Sequence, residues 1–311
     1  MSLARALEIG AAARGRAYPK PTVAAVLVRD GEIVGEGVTE PGGRHGEVVA
    51  LAESGERARG ATLFVTLEPC AHHGTTPPCT DALLAAGVTR VVAGSRDPNP
   101  EAAGGLEKLR AAGVEVEHAD SAEARRQNEA WRTWVGAGRP FVTYKAAITL
   151  DGRVTVPGSR WVSGEASRRL VHELRAASDA VAVGMGTVRL ENPRLDARDI
   201  GAPRQPRRLA FGSGPLPDGS ELELRSGPLG EELRALAAEG VQSLLLEGGP
   251  TLAGAFLRAG LVDKLLLFVA PTLAGVGPNL VDWLGAPLAL GELTATPVGD
   301  DLLLEAYLSD L

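Results

Sequence analysis

Three residues able to hold a metal stand at a telling spacing: His45 in His45-Gly46-Glu47, Cys70 directly after Pro69, and Cys79. Zinc accepts imidazole nitrogen and thiolate sulfur, and a catalytic zinc takes three protein ligands and keeps a fourth position for water. One histidine and two cysteines make up that set. Glu47 lies two residues from His45 on the same first helical turn, so it can face a water in the open position without ligating the metal. A carboxylate there can take the water's proton and hand it to a leaving amine. Each cysteine follows a strand or opens a helix, where the helix dipole favours thiolate. The bland alternative is a pair of buried thiols, and the longer-than-usual gap between the cysteines favours it. The His-x-Glu upstream and the proline before Cys70 argue the other way.

A second kind of chemistry is hinted at further along. Leu244-Leu245-Leu246-Glu247-Gly248-Gly249-Pro250-Thr251-Leu252 is an apolar strand entering a helix through two glycines, where backbone N–H groups can approach a phosphate. Val183-Gly184-Met185-Gly186-Thr187 has the same shape. Each alone is weak, because a glycine pair is more often only a tight connection. No G-x-G-x-x-G followed by a ribose-binding acid is present.

These residues need elements to position them, and the pattern alternates strand and helix. Helices are expected over 2–13, 45–54, 80–86 and 102–112, with a helix-like polar segment over 121–138. Strands are expected over 23–28, 33–38, 62–67, 88–93 and 114–117, the first two joined as a hairpin through Asp30-Gly31. Gly136, Gly138 and Pro140 interrupt periodicity, which places a domain boundary near 138–141. Beyond it, strands are expected from Phe141 and over 180–183, 207–211, 243–246, 264–269 and 301–307, with helices over 186–190 and 250–259. Residues 192–206 and 212–230, rich in Pro and Gly, read as loops. The expectation is α/β architecture in two unlike domains, 1–138 and 139–311, with no internal repeat.

Composition agrees. A chain of 311 residues is about twice a typical domain. Its 44% apolar and 23% charged residues are ordinary for a globular protein, and 39 glycines with 21 prolines fall short of low complexity. No run approaches the ~20 apolar residues of a spanning helix, and the first residues lack a signal-peptide core, so a cytoplasmic protein without membrane partners is expected. The net charge of −7 argues against a broad nucleic-acid surface. Two cysteines exclude a disulfide scaffold, and in a reducing compartment they read first as metal ligands or redox thiols.

The H-x-E…P-C…C order is the signature of zinc-dependent nucleobase deaminases. Leu67-Glu68-Pro69-Cys70-Ala71-His72-His73-Gly74-Thr75-Thr76-Pro77-Pro78-Cys79, with Asp97-Pro98-Asn99-Pro100 and Asn128-Glu129, resembles the deaminase half of the bifunctional riboflavin-biosynthesis deaminase/reductases. Lys145-Ala146-Ala147-Ile148-Thr149-Leu150-Asp151-Gly152-Arg153, Ser159-Arg160-Trp161, His172-Glu173-Leu174-Arg175-Ala176 and Asn192-Pro193-Arg194-Leu195 resemble the reductase half.

The resemblance covers the whole chain. It implies an N-terminal cytidine-deaminase-like α/β sandwich and a C-terminal domain similar to dihydrofolate reductase. It implies zinc-dependent hydrolytic deamination of 2,5-diamino-6-(5-phosphoribosylamino)pyrimidin-4-one, then NADPH-dependent reduction of the ribosyl group to ribityl. In the first half it implies zinc on His45, Cys70 and Cys79 with Glu47 catalytic, and His72 and His73 lining the pocket. In the second half, Ser159, Arg175, Leu195, Arg198 and Glu247 fall on substrate positions; the forks of Arg175 and Arg198 suit a phosphate. Ala147, Trp161, Thr187, Glu191, Ser213 and Gly249, Pro250, Thr251, Leu252, Ala253, Gly254 and Ala255 fall on NADPH positions.

Three departures stand out: Lys20 replaces an Asn before Pro, Gly46 replaces Ala between His and Glu, and Thr75 replaces a basic residue before Thr-Pro-Pro-Cys. Rival readings are a deaminase of another base or nucleotide, and a zinc-stabilised binding protein. The latter needs a fourth ligand that the sequence does not supply. Oligomeric state is not legible, and a homo-oligomer stays open.

Overall fold

Asp30 and Gly31 both take positive φ, 51° and 84°, and turn β1 (Ala24–Arg29) into β2 (Glu32–Val38) as an antiparallel hairpin. The computed structural model describes residues 2–74, 76–202 and 204–308, without the side chain of Ser2. One compact unit runs to Ala137 and a second begins at Gly138.

In the first unit β1 also pairs antiparallel with β3 (Thr62–Val65), and β4 (Arg90–Ala93) and β5 (Glu115–His118) continue in parallel, giving the order β2-β1-β3-β4-β5. Ala24 through Leu27 are all fully buried, which requires cover on both faces of β1. Helix α1 (Ser2–Ala12) and helix α2 (Gly46–Ser54) both pack on that strand. Helices α3 (Cys79–Ala86) and α4 (Gly105–Ala111) extend the layer of α2, and Leu63, Leu83, Leu106 and Leu109 form the centre of the core.

The segment expected as one helix over 121–138 is two, α5 (Ala122–Gln127) and α6 (Glu129–Ala137). Asn128 separates them because its side chain is spent elsewhere: Oδ1 accepts the Thr22 N–H at 2.8 Å and Nδ2 donates to the Thr22 carbonyl at 3.0 Å.

The second unit is an eight-stranded sheet in the order β12-β13-β11-β6-β10-β7-β8-β9. Its strands are β6 (Phe141–Thr149), β7 (Ala180–Gly184), β8 (Arg207–Phe211), β9 (Glu223–Arg225), β10 (Ser243–Leu246), β11 (Lys264–Ala270), β12 (Gly291–Val298) and β13 (Asp301–Tyr307). From β11 to β9 the neighbours are parallel; β13 and β12 close the other edge in antiparallel pairing. Its helices are α7 (Glu165–Ala177), α8 (Met185–Glu191), α9 (Leu229–Ala238) and α10 (Pro250–Arg258). Tyr144, Phe256, Phe268 and Leu244 are fully buried, and Phe211 meets Phe256 edge to face at 5.4 Å.

Four elements of the second unit were not expected from sequence: α7, β9, α9 and β12. The stretch 212–230, expected as loop, contains β9 and the start of α9. Strand β9 is only three residues of a charged edge, and Gly227-Pro228 ahead of α9 reads as a turn although proline is well placed at a helix start. Strand β12 is exposed along nearly its whole length and contains Pro297, so it lacks the alternation that marks a half-buried strand; an edge position tolerates both.

Candidate active sites

The metal-binding candidates come from three separate places in the first unit. His45 is the N-cap of α2, Cys70 lies in the loop after β3, and Cys79 is the first residue of α3. The fold brings one ligand atom from each within 4.8 Å of the others. His45 Nδ1 is 3.2 Å from Cys79 Sγ and 3.6 Å from Cys70 Sγ, and the Cys79 N–H donates to Cys70 Sγ at 3.3 Å. These contacts set the local charge. The hydrogen bond from Cys79, aided by His45, pulls the Cys70 thiol down to about 4. Contact with Cys70, together with burial, pushes the Cys79 thiol the other way. Contact with Cys70 raises His45.

Glu47 sits in the first turn of α2, almost completely buried, and burial pushes its carboxyl up to about 7. Its Oε2 has no hydrogen-bond partner among the described residues. An orphaned buried carboxylate oxygen beside two thiols and an imidazole fits a cation with an open position, since N and S donors of this mix suit zinc.

The surroundings hold this arrangement close. A Cβ on Gly46 would lie 2.4 Å from the Val23 carbonyl oxygen, so glycine there lets the start of α2 sit against β1. A Cβ on Gly105 would lie 1.7 Å from the Pro69 carbonyl oxygen, so the cysteine loop rests directly on the start of α4. Buried Glu68 ties the same two segments: one carboxylate oxygen accepts the N–H groups of Gly104 and Leu106, both at 3.1 Å, and the other that of Asp97 at 3.2 Å.

Lys20, in the segment that Asn128 clamps at Thr22, is half-buried and its charge opposes protonation of His45. His72 is half-buried with an unpartnered Nδ1, and His73 is exposed. Thr75 lies outside the described residues.

In the second unit the parallel register of β10 on β6 pairs Leu246 with Tyr144, which sets Glu247 beside Lys145. Lys145 Nζ is 3.3 Å from Glu247 Oε2, and α7 supplies Arg175, whose Nε and Nη2 reach the two carboxylate oxygens at 2.6 and 3.0 Å. All three side chains are largely buried. Burial alone would raise the Glu247 carboxyl; Lys145 and Arg175 instead hold it at about 2. The third nitrogen of the Arg175 fork donates to the Asp196 carbonyl at 3.1 Å, so three of the five N–H groups of Arg175 meet protein acceptors. Arg198 keeps an exposed guanidinium 2.5 Å from the Asp196 carboxylate, and Leu195 is buried with φ of 53°. Ser159 Oγ is bonded to the backbone of Trp161, whose exposed ring lies between Arg160 and Arg168 at 4.8 and 5.2 Å.

The turns that end β7 and β10 lie side by side, as neighbouring parallel strands require. A Cβ on Gly249 would be 3.8 Å from Thr187 Oγ1, so the N-terminus of α10 faces α8. Gly249 caps α10 and Pro250 is its first residue; Thr251 Oγ1 bonds Asp282 at 2.6 Å. Leu252 and Ala255 are half-buried, whereas Ala253 and Gly254 turn into the core. Ala147 is half-buried on β6, and Glu191 and Ser213 are exposed, the Ser213 carbonyl accepting from Arg189 at 2.6 Å.

Sequence reasoning assigned no role to Lys145, Glu68 or Asn128. A lysine in the middle of the apolar run Phe141–Thr149 was the available signal for the first.

Comparisons with known proteins bear on both units. Residues 2–95 match the cytidine and deoxycytidylate deaminase zinc-binding region, and residues 140–219 and 223–304 match the RibD C-terminal domain. The chain is 43% identical to the riboflavin biosynthesis protein RibD of Mycobacterium tuberculosis (strain H37Rv), over 96% of this chain and 94% of that protein. It is 38% identical to the RibD of Escherichia coli K12, over 88% of each. Among solved structures, RibD of Acinetobacter baumannii in its form 1 superposes with a TM-score of 0.85 at 33% identity, over 99% of this chain and 98% of that one. The diaminohydroxyphosphoribosylaminopyrimidine deaminase/5-amino-6-(5-phosphoribosylamino)uracil reductase of Thermotoga maritima gives 0.82 at 33% identity, over 99% and 97%. Matched in this way along both halves, the chain belongs to the RibD family of bifunctional riboflavin-biosynthesis enzymes, with a zinc-binding deaminase domain and a reductase domain.

Proposed function

We propose that residues 1–138 deaminate 2,5-diamino-6-(5-phosphoribosylamino)pyrimidin-4-one and that residues 139–311 then reduce the ribosyl side chain of the product to ribityl with NADPH. The observation that carries the first step is the convergence of His45, Cys70 and Cys79 beside a buried Glu47 with a free oxygen. Zinc, when bound by those three residues, supplies an activated water. Glu47 does the proton work: near neutral pH it both accepts a proton from the attacking water and returns it to the amine, which leaves as ammonia.

In the second step the nicotinamide supplies the hydride, and the protein supplies binding and orientation. Glu247, pinned by Lys145 and Arg175, stays ionised and accepts hydrogen bonds from substrate donors. Arg198 is the cation left exposed for the 5-phosphate, and the paired turns of α8 and α10, with Trp161, form the bed for the cofactor. The enzyme works in the cytoplasm on a diffusible small molecule, without a nucleic-acid or membrane partner; among the described residues no helix is long and apolar enough to cross a membrane.

The test supplies the diaminopyrimidinone ribotide to zinc-loaded protein and follows ammonia and NADPH absorbance separately. Ammonia is expected without NADPH, and oxidation of NADPH in preference to NADH once deamination has begun. Ammonia from cytosine or cytidine nucleotides but none from the ribotide would overturn the substrate, and tight zinc without turnover would overturn the enzyme.

A further inference from the structure

The two ring nitrogens of His45 face different partners. Nδ1 points at the sulfurs of Cys79 and Cys70, 3.2 and 3.6 Å away, while Nε2 lies 3.4 Å from the hydroxyl of Thr76. In a neutral imidazole the nitrogen that ligates a metal gives its lone pair, so the proton sits on the other. With Nδ1 turned to the sulfurs, the proton belongs on Nε2, and Thr76 Oγ1 is its acceptor among the described residues.

The backbone of His45 is fixed by α2, whose first carbonyl bond runs from Val49 N–H to His45 O at 3.1 Å, but that leaves the ring free to turn. Thr76 is itself held firmly. Its carbonyl accepts the Gly74 N–H at 3.2 Å, and Pro77-Pro78, with restricted φ, lead straight into Cys79.

We propose that Thr76 is a positioning residue for the metal: its hydroxyl accepts Nε2–H and fixes the tautomer and rotation in which Nδ1 meets zinc together with Cys70 and Cys79. The proposal rests on the zinc reading of this site. Thr76 stands three residues from Cys79 on a stiff segment, so the orienting group and one thiolate ligand move as a unit. Removing such an outer partner of a ligating histidine weakens metal binding by about 10–100-fold.

The experiment measures zinc affinity of the full chain by competition with a chromophoric chelator at fixed pH. Thr76→Val keeps the shape and removes the acceptor, and is expected to bind zinc about 10–100-fold more weakly. Thr76→Ser keeps the hydroxyl and is expected to bind within a few-fold of the parent. Nitrogen-15 spectra of the zinc-loaded parent provide a reading that needs no variant: His45 should show metal on Nδ1 and a slowly exchanging proton on Nε2. A Val variant that binds as tightly as the parent, or metal found on Nε2, overturns the role of Thr76 alone. A parent that takes up no zinc overturns the site reading with it.

Discussion

Each unit buries a glutamate next to its candidate chemistry, and the two are prepared in opposite ways. Glu47 is enclosed without a cation, keeps one oxygen unpartnered, and is pushed up to about 7. Glu247 is also largely enclosed, but Lys145 and Arg175 grip both of its oxygens and hold it at about 2. The same side chain is thus poised to exchange a proton near neutral pH in one place and to stay ionised in the other, and the neighbours decide which. Unpaired burial gives mobility of the proton; paired burial gives fixed charge and fixed geometry.

The comparison can be broken most directly at Glu47. Glu47→Gln should leave zinc per chain unchanged and lower ammonia release by at least ~10²–10⁴-fold, because an amide cannot relay a proton. NADPH oxidation with pre-deaminated substrate should not change. Near-normal deamination by this variant would remove Glu47 from the mechanism.

Glu247→Gln tests the other half. Losing the anion leaves two buried cations uncompensated, so the second unit should lose about 3–5 kcal/mol in denaturant unfolding. Replacing Lys145, Glu247 and Arg175 together with apolar residues should cost less. The sign with pH follows from the lowered carboxyl: the stability Glu247 contributes is present above the ordinary carboxylate range near ~4 and is lost as pH falls toward about 2. Acid titration of the unfolding midpoint should show that loss in the parent and not in Glu247→Gln.

The smallest effect sharpens the packing behind Glu47. Gly46→Ala, which installs the residue the family resemblance expects, drives a methyl toward the Val23 carbonyl oxygen. About 1–3 kcal/mol of stability should be lost while zinc content stays intact. No change in melting temperature would mean that β1 yields at no cost.

How much of this was readable beforehand differs between the sites for a physical reason. His45, Cys70 and Cys79 belong to the scarcest residue types of the chain, and His-x-Glu upstream with a proline before Cys70 suggested a metal despite the long gap between the cysteines. The Lys145–Glu247–Arg175 cluster depends on strand register and a helix placed over it, which no linear spacing records. Glu247 and Arg175 entered through family resemblance, and their mutual ion pair has no signature in the linear sequence. Glu68 and Asn128 are ordinary polar residues until folding presents them with backbone N–H groups. Core strands such as β6 and β10 were legible from their apolar runs, whereas β12, solvated and interrupted by Pro297, carries no such signal.

Glu68 has a consequence for how the enzyme acquires its metal. By bonding the start of α4 and the Asp97 loop from the residue two before Cys70, it anchors the ligand loop through contacts that owe nothing to zinc. Small zinc-nucleated domains fold only as they bind the ion. The Glu68 contacts lead to a different expectation here: a chain stripped of metal by a chelator should keep its far-UV circular dichroism and take zinc back without refolding, whereas loss of that signal with the metal would make the ion part of the scaffold.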